Sequence, residues 1–192
     1  AVYTTNKVKG APIQVTKEHL QNGTAKAVIV NSVNANTCNA DGIEKAEKMC
    51  SLVAEELGID ENDVIVASTG VIGQILPIEP IENGMKSLCE GLTYDGNSRA
   101  VEAIMTTDTM PKEVAVQFEI DGNVCTLGGM LKGSGMIHPN MATTLTFMTS
   151  DVNISSELLQ RALSDVVKIT LNRVSVDGDT STNDMACIMA SG

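Results

Sequence analysis

Tryptophan is absent from this chain, and Tyr and Phe together supply only 2 % of its 192 residues. Single-stranded nucleic acids are bound on exposed aromatic rings, so that class of partner is excluded. Positive charge is scarce as well: 13 Lys and Arg stand against 24 Asp and Glu, a net charge of −11. Such a chain repels phosphate backbones and anionic membranes, so neither nucleic acid nor membrane is an expected partner. No apolar run approaches about 18 residues, and no charged-then-apolar leader is present, so the chain reads as soluble and cytoplasmic. The five cysteines, Cys38, Cys50, Cys89, Cys125 and Cys187, form no CxxC pair. That removes a zinc finger and leaves reduced structural thiols as the expectation.

What is present fits a globular protein. Hydrophobic residues make 43 % of the chain, against disorder, and ten Met fill a largely aliphatic core. The length suits one large domain or two small ones. The β-branched run 25–30 predicts a strand, followed by a polar loop at 31–36. Residues 42–57 predict a helix with Asp41 as N-cap and Gly58 as stop, and with Ile43, Ala46, Met49, Cys50, Val53, Ala54 and Leu57 inward. Residues 63–67 predict a buried strand, and 98–105 a short helix. A hairpin is expected from 113–120 and 124–127 about the turn Asp121-Gly122. A strand beginning at Thr143, a helix over 155–173 and a strand after 184 complete the reading. On that helix Leu158, Leu159, Ala162, Val166, Val167 and Leu171 are expected inward, with Ser155 or Ser156 as the cap. Strands and helices mix without strict βαβ alternation, so the fold class expected is α+β, with layered sheets flanked by helices. The chain opens without Met and closes on an apolar stretch, which reads as a piece of something longer.

The most specific segment is 132–143, KGSGMIHPNMAT. A threonine within a chain is a weak nucleophile. Breaking the Ala142–Thr143 bond would give Thr143 a free α-amine, with a reference pKa of about 7.7–8.0, beside its own hydroxyl. Nucleophile and general base would then arise from one peptide break. Attack on an acyl carbonyl builds negative charge on oxygen, which needs hydrogen-bond donors. The Gly-rich stretch 68–73, STGVIG, follows a predicted strand and is a natural donor loop. It lacks the GxxxxGK[ST] pattern of a P-loop.

Segment 132–143 resembles the self-cleavage site of the ornithine acetyltransferases, or bifunctional glutamate N-acetyltransferases, of arginine biosynthesis. The usual Met-Leu after the cleavage threonine is here Thr144-Leu145. Residues 68–73 resemble the family's STGVIG motif, 105–109 its MTTDT motif, and 177–184 its DGDTSTND motif. Residues 31–36 resemble its NSGNAN segment, with Val33 in place of glycine. The resemblance implies an N-terminal-nucleophile arrangement in which Thr143 carries the acetyl group and Thr69 and Gly70 form the oxyanion hole. It implies substrate contacts from Thr106, with Thr107 as runner-up, from Lys132, whose cation suits an α-carboxylate, and from Thr143.

The resemblance further implies acetyl transfer from N-acetylornithine to glutamate, with ornithine leaving. No cofactor and no metal are implied, and acetyl-CoA enters only as a possible substrate. Residues 1–142 would correspond to an α chain and 143–192 to the start of a β chain, packed as one contiguous structural unit. The rest of the β chain is an implied partner, within an α2β2 heterotetramer. The 177–184 loop is expected as structural support near the site, and His138 and Met185 are given no catalytic role. Two other readings remain at this point: an N-terminal-nucleophile amidohydrolase or aminopeptidase, with water as acceptor, and a non-catalytic binding or assembly fragment.

Overall fold

The computed structural model describes residues 1–138 and 144–192. Its packing divides into two compact units, Ala1–Asn6 with Thr107–Gly192, and Lys7–Thr106. Each unit closes its own hydrogen-bond ladder and buries its own apolar cluster.

The unit formed by Lys7–Thr106 is built on two parallel strands, β2 (Ala27–Asn31) and β3 (Val64–Ser68), paired in register from Ala27↔Val64 to Asn31↔Ser68. Three helices enclose this small sheet: α1 (Ala11–His19), α2 (Gly42–Leu57) and α3 (Glu79–Glu90). Val15, Ile29, Met49, Cys50, Val53, Val64, Val66 and Met85 form their shared core. β3 is buried along its whole length, and α1 satisfies polar groups on it. The Thr16 hydroxyl donates to the Val66 carbonyl at 2.7 Å and accepts the Val66 N–H at 2.9 Å. His19 Nδ1 lies 2.8 Å from the Val64 carbonyl. A threonine hydroxyl thereby replaces a missing strand neighbour, which buried backbone groups require. A short helix, α4 (Asn97–Ile104), closes the unit.

The other unit is a five-stranded mixed sheet in the order β1-β7-β6-β5-β4. Its strands are β1 (Val2–Tyr3), β4 (Glu113–Ile120), β5 (Asn123–Lys132), β6 (Leu145–Ser150) and β7 (Met185–Ala190). β6 and β7 run parallel, with Leu145 opposite Met185, and the other pairs are antiparallel. The β4–β5 hairpin turns on Asp121 (φ 50°) and Gly122 (φ 78°), the left-handed pair that an Asp-Gly turn favours. Helix α5 (Ser156–Ile169) packs Leu163 and Val167 on Ala186, with Val2, Met148 and Ile188 around them. The α+β class and its helix-flanked sheets stand as expected.

Several details differ from the sequence reading. Asp41 does not cap α2 through its side chain, although Gly58 ends the helix in the left-handed region as expected. Ile43 and Leu57 are exposed. Helix α5 stops at Ile169, before a 3-10 turn at Leu171–Arg173, and Leu158 and Val166 face solvent. Ser155 is its cap, accepting the Leu158 N–H. Helices α1 and α3 were not expected, because Pro12 and β-branched residues in one, and Asn83-Gly84 in the other, blur the helical pattern. All five cysteines are free thiols, and burial pushes Cys50 and Cys187 up to about 12. Among the described residues no helix is long and apolar enough to cross a membrane.

Candidate active site

Strand β5 ends at Lys132, where the Gly-rich segment begins. The lysine is 4 % exposed. Burial pulls its ammonium below the ordinary lysine value, while the carboxylates of Asp108 and Asp184 favour the charged form. The 105–109 motif steadies the segment from one side. Asp108 Oδ1 accepts the Gly133 N–H at 2.9 Å and the Lys112 ammonium at 2.6 Å, with its side chain fully buried. The Thr107 and Ser134 hydroxyls meet at 2.5 Å.

The 177–184 motif steadies the same segment from its far end. Asp177 Oδ2 accepts the Met136 N–H, and Oδ1 accepts the Ile137 N–H at 2.8 Å. The Met136 bond, then those from Ile137 and Asp179, hold the Asp177 carboxyl below the usual carboxylate range. The Ile137 carbonyl in turn accepts the Val176 N–H at 2.8 Å. Met136 adopts φ 58°, a left-handed conformation that costs a non-Gly residue energy unless neighbours fix it. The two Asp177 bonds do so.

Where the chain is described again, at Thr144, the surroundings are buried and polar. Thr144, Thr146, Ser181, Thr182, Asn183 and Asp184 are all at most 8 % exposed. The Thr144 and Thr146 hydroxyls, and both Asp184 carboxylate oxygens, complete no hydrogen bond of good geometry among the described residues. Burial drives the Asp184 carboxyl up to about 8; the nearby Ser181 hydroxyl, Thr144 N–H and Lys132 charge oppose this more weakly. Ala142 and Thr143, the expected cleavage pair, lie outside the described residues.

In the other unit, the loop after β3 is pinned to the 31–37 segment by backbone bonds. Thr69 N–H donates to the Asn31 carbonyl at 2.8 Å, Val71 N–H to Val33 at 3.1 Å, and Gly73 N–H to Thr37 at 2.9 Å. Gly70 sits at φ 126°, and a Cβ there would fall 2.1 Å from the Val33 carbonyl oxygen. Only glycine fits this approach. Gly70 is exposed, and its N–H makes no hydrogen bond among the described residues. That is the state an oxyanion donor requires. Thr69 is 7 % exposed beside it.

Residues 31–36 are a turn held by their own amides. Asn31 Nδ2 donates to the Asn34 carbonyl, and the Asn36 N–H donates to Asn34 Oδ1, at 2.8 and 2.7 Å. Val33 is not among the positive-φ residues and its side chain is 76 % exposed, so valine replaces glycine there without backbone strain.

The structure therefore brings Lys132 together with Asp108 and Asp184, and Thr69 together with Gly70. Thr106 is exposed at the end of its unit, and it is the runner-up Thr107 whose hydroxyl touches the Gly-rich segment. His138 is exposed. The roles of Asp108, Asp177 and Asp184 were not read from the sequence. Their signal was available: each carboxylate lies in a motif already singled out, and a Gly-rich segment offers N–H groups in need of acceptors.

The model of the ArgJ family matches residues 1–192. This chain belongs to the ArgJ family. The arginine biosynthesis bifunctional protein ArgJ of Caldanaerobacter subterraneus subsp. tengcongensis is 48 % identical over the full chain, which covers 48 % of that relative. The ArgJ of Bacillus cereus is 50 % identical over the full chain, again covering 48 % of the relative. The chain spans about half the length of the curated relatives it matches. A crystal structure of ArgJ from Bacillus halodurans superposes with a TM-score of 0.68 at 46 % identity, covering 74 % of this chain and 75 % of that one. An ornithine acetyltransferase from Mycobacterium tuberculosis, complexed with ornithine, gives 0.68 at 34 % identity, covering 76 % and 77 %. The family resemblance carried by the five segments is borne out.

Proposed function

We propose that the protein containing this ArgJ chain is a glutamate N-acetyltransferase of arginine biosynthesis, activated by self-cleavage at Ala142–Thr143. Thr143 Oγ, with its freed amine as base, takes the acetyl group of N-acetylornithine and releases ornithine. Glutamate then accepts the acetyl group from the Thr143 ester. Thr69 and Gly70 donate to the oxyanion, and Lys132 and Thr106 hold the substrate. Residues 1–142 form the first piece and 143–192 begin the second, which continues into the rest of the polypeptide. The assembly is an α2β2 heterotetramer in the cytoplasm, and the chemistry calls for no cofactor or metal, with acetyl-CoA as a possible second donor.

The whole-chain family match carries this reading. The exposed Gly70 N–H and the buried, charge-flanked Lys132 support it. The test is intact-mass analysis of the full-length protein together with mass-spectrometric detection of N-acetylglutamate made from N-acetylornithine and glutamate. The expected result is two fragments, one beginning at Thr143, and transfer that exceeds hydrolysis. Both should vanish in Thr143→Ala. Hydrolysis without transfer would turn the reading toward an amidohydrolase.

A further inference from the structure

Lys132 can serve a substrate carboxylate only if the carboxylates of its own fold do not claim its ammonium first. We propose that Lys112 is the positioning residue that prevents this: it engages the buried Asp108 carboxylate and, together with Asp108, clamps the backbone on both sides of Lys132. This deepens the function proposed above and rests on it.

The clamp closes around a single residue. The Leu131 N–H donates to the Lys112 carbonyl at 3.0 Å, and the Gly133 N–H donates to Asp108 Oδ1 at 2.9 Å. The Lys112 ammonium reaches that same Asp108 oxygen at 2.6 Å, so both anchors belong to one closed loop, residues 108–112. The contact between the Thr107 and Ser134 hydroxyls continues the seam by one residue at each end. On its other side β5 pairs with β6, where Lys132 stands opposite Leu145. The Lys132 backbone is thereby held from both sides, and all of these residues lie in the unit that contains Thr107–Gly192.

Charge gives the ion pair its purpose. The Asp108 side chain is fully buried and Lys132 is 4 % exposed, whereas the Lys112 side chain is 37 % exposed. A buried carboxylate that loses one cation is left uncompensated and draws on the next within reach. Asp108 and Asp184 both favour the charged form of Lys132, and Lys112 opposes it, so Asp108, Lys112 and Lys132 respond to one another's charge. With Lys112 in place, a half-exposed lysine meets the Asp108 charge. Without it, Asp108 holds Lys132 more tightly, and a substrate carboxylate must compete with a carboxylate of the protein. Such a loss weakens binding and leaves the reacting atoms alone, so it falls on KM rather than on kcat.

The test measures steady-state acetyl transfer from N-acetylornithine to glutamate by full-length wild type, Lys112→Met and Lys112→Arg. Rates are divided by the fraction of chain that is cut, read on a denaturing gel. Misplacing a binding group by about 1 Å can cost about 100-fold, so Lys112→Met is expected to raise KM for both substrates at least about tenfold, with kcat within about threefold of wild type. Lys112→Arg keeps the positive charge and is expected to restore both constants to within about threefold. A merely structural role would lower kcat or the melting temperature and leave KM where it was, and that outcome overturns the inference. A raised KM that Lys112→Arg does not restore overturns it as well. If Lys112→Met melts below the assay temperature, Lys112→Gln decides: a raised KM supports the role and a wild-type KM overturns it. A wild type that transfers no acetyl group overturns the proposed function itself, and this inference with it.

Discussion

Replacing Gly70 with alanine tests whether the loop after β3 has the geometry assigned to it. The added Cβ would lie 2.1 Å from the Val33 carbonyl oxygen, 2.3 Å from its carbon and 2.8 Å from the Asn34 nitrogen. All three atoms are backbone, so no side chain can swing aside. The φ of 126° adds conformational strain of about 1–3 kcal/mol. Relieving the overlap costs a further ~1–3 kcal/mol. The sum, about 2–6 kcal/mol, corresponds to a fall in Tm of roughly 5–20 °C for a chain of this size. Gly58→Ala is the matched control: its φ is 65°, and nothing lies within 4 Å of the added atom. It should lose only about 1–2 kcal/mol, from left-handed strain alone. Thermal unfolding followed by circular dichroism measures both. Equal losses in the two variants, or a Gly70→Ala melt within about 2 °C of wild type, would refute the close approach of the two loops.

Two further outcomes follow from the carboxylates. Asp184 titrates near 8 in the folded chain and near 3.9 when unfolded, so the native state holds the extra proton between those values. Its contribution to stability is complete below about pH 4 and is lost as pH rises through 8; urea midpoints of wild type should therefore fall more steeply from pH 5 to 8.5 than those of Asp184→Asn, and parallel curves would contradict this. Asp177 has the opposite sign: its lowered pKa gives stability that is present above the unfolded value and lost as acid titrates the folded carboxylate. Hydrogen exchange of the Met136 and Ile137 amides should accelerate in Asp177→Ala, while amides of α2 stay protected.

Sequence periodicity located α2 to the residue because one apolar stripe, a left-handed glycine and a polar flank all agreed. It misjudged α5, which carries two apolar stripes. Leu158, Ala162 and Val166 form one, and Leu159, Leu163 and Val167 form another, and only the packed sheet selects the second. The sequence reading ended β5 at residue 127, before Gly128-Gly129, whereas the strand runs on to Lys132. In the sheet those glycines face Thr149 and Met148, and a Cβ on Gly129 would come within 3.0 Å of the Met148 side chain. At the site, local motifs pointed to Lys132, Thr69 and Gly70. What they could not reveal was long-range acceptor geometry. Asp108 meets Gly133 across 25 residues and Asp177 meets Met136 across 41, and nothing within either motif names the donor.

The strand order has a consequence for any break at Ala142–Thr143. Strands β1, β4 and β5 lie before that bond, and β6 and β7 lie after it. In the sheet the later pair is flanked by earlier strands on both sides, β1 beyond β7 and β5 beside β6. The two pieces would therefore be interleaved within one hydrogen-bonded ladder, and losing the covalent link would free neither. A cut protein would migrate as two bands only after denaturation, and once pulled apart each piece would expose the bare strand edges it had shared with the other.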